Sequence, residues 1–215
     1  IGLGGSTEIR IRGENKANCM GATEFIEQIK TEPIAKPFAK KVIVLGGGNT
    51  AMDAATESAK LGAEKVILAY RRTKSEMKAY HFEYDLTKDS GVESLFNVAP
   101  VEIIGKTEVE GVRFVKTETV SGKLIPIPGS EFILACDLVI KATGQIKQTS
   151  MLTNISGLNI DKSGRILVDQ SNGQTSNPKY FAGGDAVNGG AEVVNAVADG
   201  KIAGKGIHEF LNDNG

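Results

Sequence analysis

The sequence predicts an α/β fold: a parallel-sheet unit covered by helices, followed by a meander of strands. Three observations predict it. Val42-Ile43-Val44-Leu45 is a wholly apolar run, the pattern of a strand buried on both faces of a parallel sheet. From Lys41 to Phe96 apolar strands alternate with helical spacing, a β-α-β-α-β order that requires parallel strands joined by crossovers. After Pro100 the strands follow one another with turns and no helices between them.

The composition permits this and excludes other classes. The chain has 215 residues, 40% hydrophobic and 24% charged, enough to build one or two cores. Lys and Arg number 25 against 26 Asp and Glu, a net charge of −1, so no broad basic field exists for nucleic acid or an anionic membrane. Aromatics are 6% of residues, too few for a single-strand stacking platform. No apolar run reaches the roughly 18 residues of a membrane span. Cys19 and Cys136 stand far apart with no CxxC and no metal-ligand spacing, so a disulfide scaffold or a metal site is not expected; two reduced, buried thiols in a cytoplasmic protein are.

Along the chain, Phe25, Ile26 and Ile29 mark a helix from about Gly21 to Lys30, and the segment Thr31–Pro37 reads as an extended domain crossing. Then come the strand at Val42–Leu45, a helix from Asn49 to Leu61 closed by Gly62, and the strand Val66–Tyr70. A helix capped by Thr73 or Ser75 is expected to run to Lys88 and lead into a strand at Val92–Phe96. Three meander strands are expected at Val101–Ile104, Val112–Thr119 and Phe132–Leu134, with Gly122–Gly129 as a turn. Asp137–Ile140 is a further buried strand, ending in Ala142-Thr143-Gly144. Gly164–Val168 and Tyr180–Ala182 read as strands, and Ala191–Leu211 as a long helix.

The chemistry sits at three places. Gly46-x-Gly48-x-x-Ala51, between a buried strand and a helix, has the dinucleotide fingerprint: Gly46 for the tight turn, Gly48 for close approach of a pyrophosphate, Ala51 for close helix–strand packing. Asn49 and Thr50 open the helix whose N-terminus would face the phosphates. At the end of the next strand, where NAD-binding folds place an acid, this chain has Arg71 and Arg72, with Lys74 and Lys78 close behind. Guanidinium groups suit a phosphate dianion, so NADPH is the expected nucleotide. The third place is Gly184-Asp185, where an acid can accept from a ribityl hydroxyl, followed by the helix start Ala191-Glu192-Val193-Val194-Asn195, whose dipole favours negative charge on a reduced flavin. No residue has the marks of a proton-transfer catalyst: His81 and His208 read as surface or packing histidines, as hydride chemistry belongs to the cofactors.

Val42–Asp53, Tyr70-Arg71-Arg72-Thr73, Ala142-Thr143-Gly144 and Thr175–Asp185 together resemble the small (β) subunit of glutamate synthase, and the related flavin-containing half of dihydropyrimidine dehydrogenase is similar. The resemblance implies a two-dinucleotide-binding-domain flavoprotein. A Rossmann-like NADPH domain with its three-stranded meander, residues 36–144, would be inserted into a partial FAD domain formed by 1–35 and 145–215. It implies hydride transfer from NADPH to FAD, then electrons passed to iron–sulfur clusters and to a large catalytic subunit or other acceptor. The family's FAD pyrophosphate loop and its cysteine-rich cluster region would lie upstream of this sequence. Two alternatives stand beside this reading: the pyrimidine-reducing system, and an NADP-binding module without turnover. A thioredoxin-reductase-like activity is disfavoured by the absent CxxC. Apolar residues of the 191–211 helix are expected to favour self-association.

Overall fold

The fold comes from a computed structural model that describes residues 2–32 and 39–213. The chain divides into two compact units, one of residues 5–144 and one of residues 1–4 with 145–215.

The unit of residues 5–144 is built on a five-stranded sheet whose strands β2 (Cys19–Gly21), β3 (Lys41–Leu45), β4 (Lys65–Tyr70), β5 (Glu93–Phe96) and β10 (Leu138–Lys141) lie in the order β2-β10-β3-β4-β5. Every pairing is parallel, with Val44 beside Leu68 and Ile140. Side chains of a strand alternate between faces, and here both faces are dry. Val42 and Val44 join Ala51, Met52, Ala54 and Ala55 of helix α2 (Asn49–Lys60) in one core, together with Ala22 and Phe25 of α1 (Ala22–Thr31) and Tyr84 of α3 (His81–Asp89). Ile43, Leu45 and Val139 point the other way, into a second core with Val98, Ile103, Val112 and Phe114 of the meander. That two-faced burial is why the strand at 42–45 has no polar alternation.

The meander consists of β6 (Val98–Ile104), β7 (Gly111–Val120), β8 (Lys123–Pro126) and β9 (Phe132–Ala135), all antiparallel. It has four strands where three were expected: β6 and β9 flank one half of β7, and β8 folds back on its far half. The β7–β8 turn is Ser121-Gly122 with φ of 50° and 76°, the left-handed pair of a type I′ hairpin turn.

Two further expectations are corrected in this unit. The N-terminal boundary at 35/36 does not match the packing: β2 adds to the sheet beside β10, and α1 buries Ala22 and Phe25 in the same core as α2, so residues 5–32 belong here. The expected crossing at 31–37 falls largely outside the described residues. The helix expected from Thr73 to Lys88 is broken. A 3-10 turn covers Lys74–Glu76, and α3 begins only at His81. In between, Met77 and Tyr80 are extended, because the Lys78 and Ala79 amides donate to the Gly47 carbonyl at 3.0 and 3.1 Å instead of continuing a helix.

In the other unit, β11 (Gln145–Lys147) pairs with β1 (Leu3–Ser6), whose first two residues belong to that unit. Short helices α4 (Thr149–Leu152) and α5 (Asp185–Asn188) precede the long α6 (Val193–Asp213). The strands expected at 164–168 and 180–182 are isolated bridges only, Ile160 with Ile166, Val168 with Thr175 and Gln174 with Phe181. Small residues let α6 pack closely: a side chain on Gly173 would meet Ala203, and one on Gly206 would strike the Asn172 carbonyl. Ala203 and Gly206 are the buried residues of α6, and Val193 and Val194 are 78% and 73% exposed.

Candidate cofactor site

Strand β3 delivers the glycine turn, and the three glycines differ in why they are glycine. Gly46 has φ 155°, and a Cβ there would collide with the Ala142 carbonyl oxygen; its own amide donates to the Ala69 carbonyl at 3.0 Å. Gly47 lies against the Tyr70 ring. Gly48, the N-cap of α2, has φ −105°, which any residue adopts, and a Cβ there would meet nothing within 4 Å. The protein itself therefore places no demand on Gly48, and the space over it is open to a ligand. Ala51, fully buried, brings α2 down onto the strands. The first turn of α2 carries no acidic residue and no side-chain cap on its N-cap, an electrostatic setting that suits an anion at its N–H groups.

The end of β4 carries the cations. The carbonyls of Arg71 and Arg72 accept from the Thr117 hydroxyl of β7 at 2.8 Å and from the Asn97 amide, between β5 and β6, at 3.1 Å. The two side chains then diverge in role. Arg71 is exposed, with no side-chain partner among the described residues, whereas Arg72 Nη1 donates to Glu76 Oε1 at 2.9 Å. Lys74 Nζ sits 4.6 Å from the centre of the Tyr84 ring. Lys78 lies on the segment that crosses the glycine turn, its side chain exposed, and the next amide but one, of Tyr80, donates to Asn49 Oδ1 at 2.9 Å. Thr50 is exposed at the mouth of the turn. Ala142, Thr143 and Gly144 follow β10 beside Gly46, with the Ala142 amide on the Leu45 carbonyl at 2.8 Å and the Gly144 carbonyl accepting from Thr7. The first and second motif groups thus meet on one side of a single sheet. A concavity of about 550 Å3 lies elsewhere, between Arg10–Lys16 and Lys106–Thr107, and includes none of these residues.

The capping box at Thr73 and Glu76 is a site feature that the motif reading missed. The Glu76 carboxylate accepts from the Thr73 amide and hydroxyl at 3.1 and 2.8 Å. Those bonds, then the one from Arg72, hold its carboxyl below the ordinary carboxylate range. The Thr-x-x-Glu spacing was the available signal.

Gly184, Asp185 and Ala191–Asn195 lie in the other unit. Gly184 has φ 63°, and its amide donates to Asp199 Oδ2 of α6 at 2.8 Å. Asp185 opens α5, and its Oδ1 accepts from the Ala191 amide at 3.2 Å. Ala191 and Glu192 precede α6, which starts at Val193, two residues later than expected; Asn195 Oδ1 turns back to accept from the Glu192 amide at 3.1 Å. This caps the helix from within. Val193 and Val194 project from its exposed first turn.

The remaining candidates carry no chemistry. His81 is exposed, and His208 pairs with Asn212 on the surface of α6. Burial pushes the Cys136 thiol up to about 12, with neighbouring Asp137 adding to it, and burial also raises Cys19; both thiols stay protonated and unreactive.

Residues 1–200 match the family described as pyridine nucleotide-disulphide oxidoreductase. The chain belongs to this family. It is similar to the small chain of NADPH glutamate synthase from Escherichia coli strain K12, at 38% identity over 86% of this chain and 41% of that protein, and from Halomonas elongata, at 37% over 92% and 43%. The beta subunit of the NADP(+)-dependent formate dehydrogenase of Moorella thermoacetica is 35% identical over 98% of this chain and 31% of its own length. The chain therefore spans between 31% and 43% of these relatives. Among solved structures, the thioredoxin reductase of T. acidophilum superposes with a TM-score of 0.75 at 25% identity, covering 99% of this chain and 64% of that one. Mycobacterium tuberculosis FprA in complex with NADPH gives 0.73 at 16% identity, over 99% and 63%. The fold is that of the two-dinucleotide-binding flavoproteins, a parallel sheet with an antiparallel meander.

Proposed function

We propose that residues 5–144 bind NADPH and that residues 1–4 and 145–215 supply the ribityl and ring side of an FAD site, in an oxidoreductase of the glutamate synthase small-subunit kind. The observation that carries this is the open space over Gly48: a glycine the fold does not need, at the start of a helix whose first turn holds no acid, one strand away from the exposed Arg71. NADPH would supply a hydride and FAD would serve as its acceptor and as the electron source for clusters and an acceptor subunit. This chain's own residues do the holding. The Gly48, Asn49 and Thr50 turn receives the pyrophosphate, with Lys78 adding charge beside it. Arg71 and Arg72 read the 2′-phosphate through charge-assisted hydrogen bonds. Ala142–Gly144 line the nicotinamide side at the end of the neighbouring strand. In the other unit, Asp185 keeps Oδ2 for a ribityl hydroxyl while Oδ1 is engaged by Ala191, and the first turn of α6 favours anionic charge.

Calorimetry on the purified chain tests both halves. Binding of NADPH tighter than NADH is expected, and equal binding overturns the arginine reading. With FAD, weak or no binding is expected, because residues 145–213 contain no strand–glycine turn–helix loop for a second pyrophosphate. Charge-assisted bonds of about 1.5–3 kcal/mol each would be missing from that half of the site. A chain that purifies yellow with stoichiometric FAD overturns this account of flavin affinity.

A further inference from the structure

Resting on the NADPH reading above, we propose that Glu76 is the positioning residue for Arg72 and through it a determinant of 2′-phosphate recognition. Glu76 is an acid close behind the strand end where NAD-binding folds keep one for the ribose diol. Its two oxygens are spoken for: Oε1 by Arg72 Nη1 at 2.9 Å, Oε2 by the Thr73 amide and hydroxyl at 3.1 and 2.8 Å. An acid so engaged has no oxygen aimed at a ribose, and what it does is hold a guanidinium. Arg72 spends one N–H of its five on this contact and keeps the rest for a ligand.

The same residue ties the cation to the glycine turn. The Tyr70 hydroxyl donates to the Glu76 carbonyl at 2.9 Å, and the Tyr70 ring lies on Gly47. Two residues beyond Glu76, the Lys78 and Ala79 amides close on the Gly47 carbonyl. Glu76 therefore sits where the arginine end and the phosphate end of the site are joined, and fixes one against the other. Hydrogen bonds from Thr73 and Arg72 keep its carboxyl ionised, so the anchor is present throughout the neutral range. Freezing a long side chain before the ligand arrives is worth about twofold to tenfold in affinity.

The test uses the whole chain and two small probes, 2′,5′-ADP and 5′-AMP, measured by calorimetry on the wild type, Glu76→Gln, Glu76→Ala, Arg72→Ala and the Arg72→Ala/Glu76→Ala double variant. The wild type should prefer 2′,5′-ADP. Glu76→Ala should weaken 2′,5′-ADP by about twofold to tenfold, leave 5′-AMP unchanged, and have no further effect once Arg72 is gone. Glu76→Gln, which retains a carbonyl oxygen for Thr73, should fall between wild type and Glu76→Ala and serves if the alanine variant unfolds. Tighter 2′,5′-ADP binding in either single variant would show that Glu76 merely repels the phosphate. Equal losses for both probes, or the same loss with Arg72 absent, would make Glu76 a support for the turn alone. A wild type indifferent to the 2′-phosphate removes the NADPH reading and this inference with it.

Discussion

Residues 5–144 and the unit formed by 1–4 and 145–215 handle their apolar side chains in opposite ways. In the first, the β3 strand sends Val42 and Val44 into a helix-side core and Ile43 and Leu45 into a meander-side core. In the second, the longest element, α6, buries Ala203 and Gly206 and leaves Val193, Val194, Val197 and Leu211 exposed. The first unit encloses its own core and ends its central strand at a glycine turn ready for a ligand. The second shapes Asp185 and a helix start through glycines and small residues, with little apolar burial of its own. Strength of fold and readiness of site thus go together in one unit and are separated in the other.

The sharpest way to break this comparison is at the glycine turn. Gly48→Val should abolish NADPH binding with the melting temperature little changed, because its φ is ordinary and a Cβ there meets no protein atom within 4 Å. Gly46→Val should instead unfold the unit, since the side chain would strike the Ala142 carbonyl. Calorimetry and a thermal melt on both variants check this; retained NADPH binding by Gly48→Val would sink the dinucleotide role of the loop. The next largest contrast is in packing. Phe114→Ala, in the meander core, should cost about 3–5 kcal/mol in a denaturant titration. Val194→Ala, on the exposed turn of α6, should change stability by no more than about 0.5 kcal/mol.

Smaller effects sharpen the site. Arg71→Ala with Arg72→Ala should weaken NADPH by about tenfold or more and leave NADH alone, as charge-assisted bonds contribute about 1.5–3 kcal/mol each. Equal losses would assign the arginines to the fold. The smallest effect is a pH dependence at Glu24. Burial alone would raise this carboxyl, but the Ser6 amide and hydroxyl and the Thr23 hydroxyl outweigh it and bring it from 4.5 to about 2. A folded value below the unfolded one means stability that is present above 4.5 and lost as pH falls toward 2. Glu24→Gln should flatten the acid limb of the stability curve across that window, as measured by melts at a series of pH values.

Much of this was legible in the residues. The apolar run at 42–45 announced a strand dry on both faces, and the glycine spacing that follows announced its turn. What escaped notice was short or decided by distant partners. β2 is three residues, Cys19-Met20-Gly21, too brief for any period, and only its place beside β10 gives it away. β8 is mostly exposed, so Lys123–Pro126 shows no apolar alternation; its cue was the Ser121-Gly122 turn. The helix expected through Met77–Tyr80 was lost to an acceptor thirty residues back, the Gly47 carbonyl, which local propensity does not register. At the site, the arginines were visible as a pair, and their division of labour was not, because it depends on where Glu76 turns.

The grip of the meander on the strand end has a practical corollary. With the Arg71 and Arg72 carbonyls pinned by Thr117 of β7 and by Asn97 just before β6, the peptide planes at the end of β4 are set by distant partners. On the NADPH proposal, nucleotide preference would be written in side chains alone, over a backbone that need not be redrawn. A change of that preference toward NADH would then be sought at position 71 and its immediate neighbours, with the scaffold left as it stands.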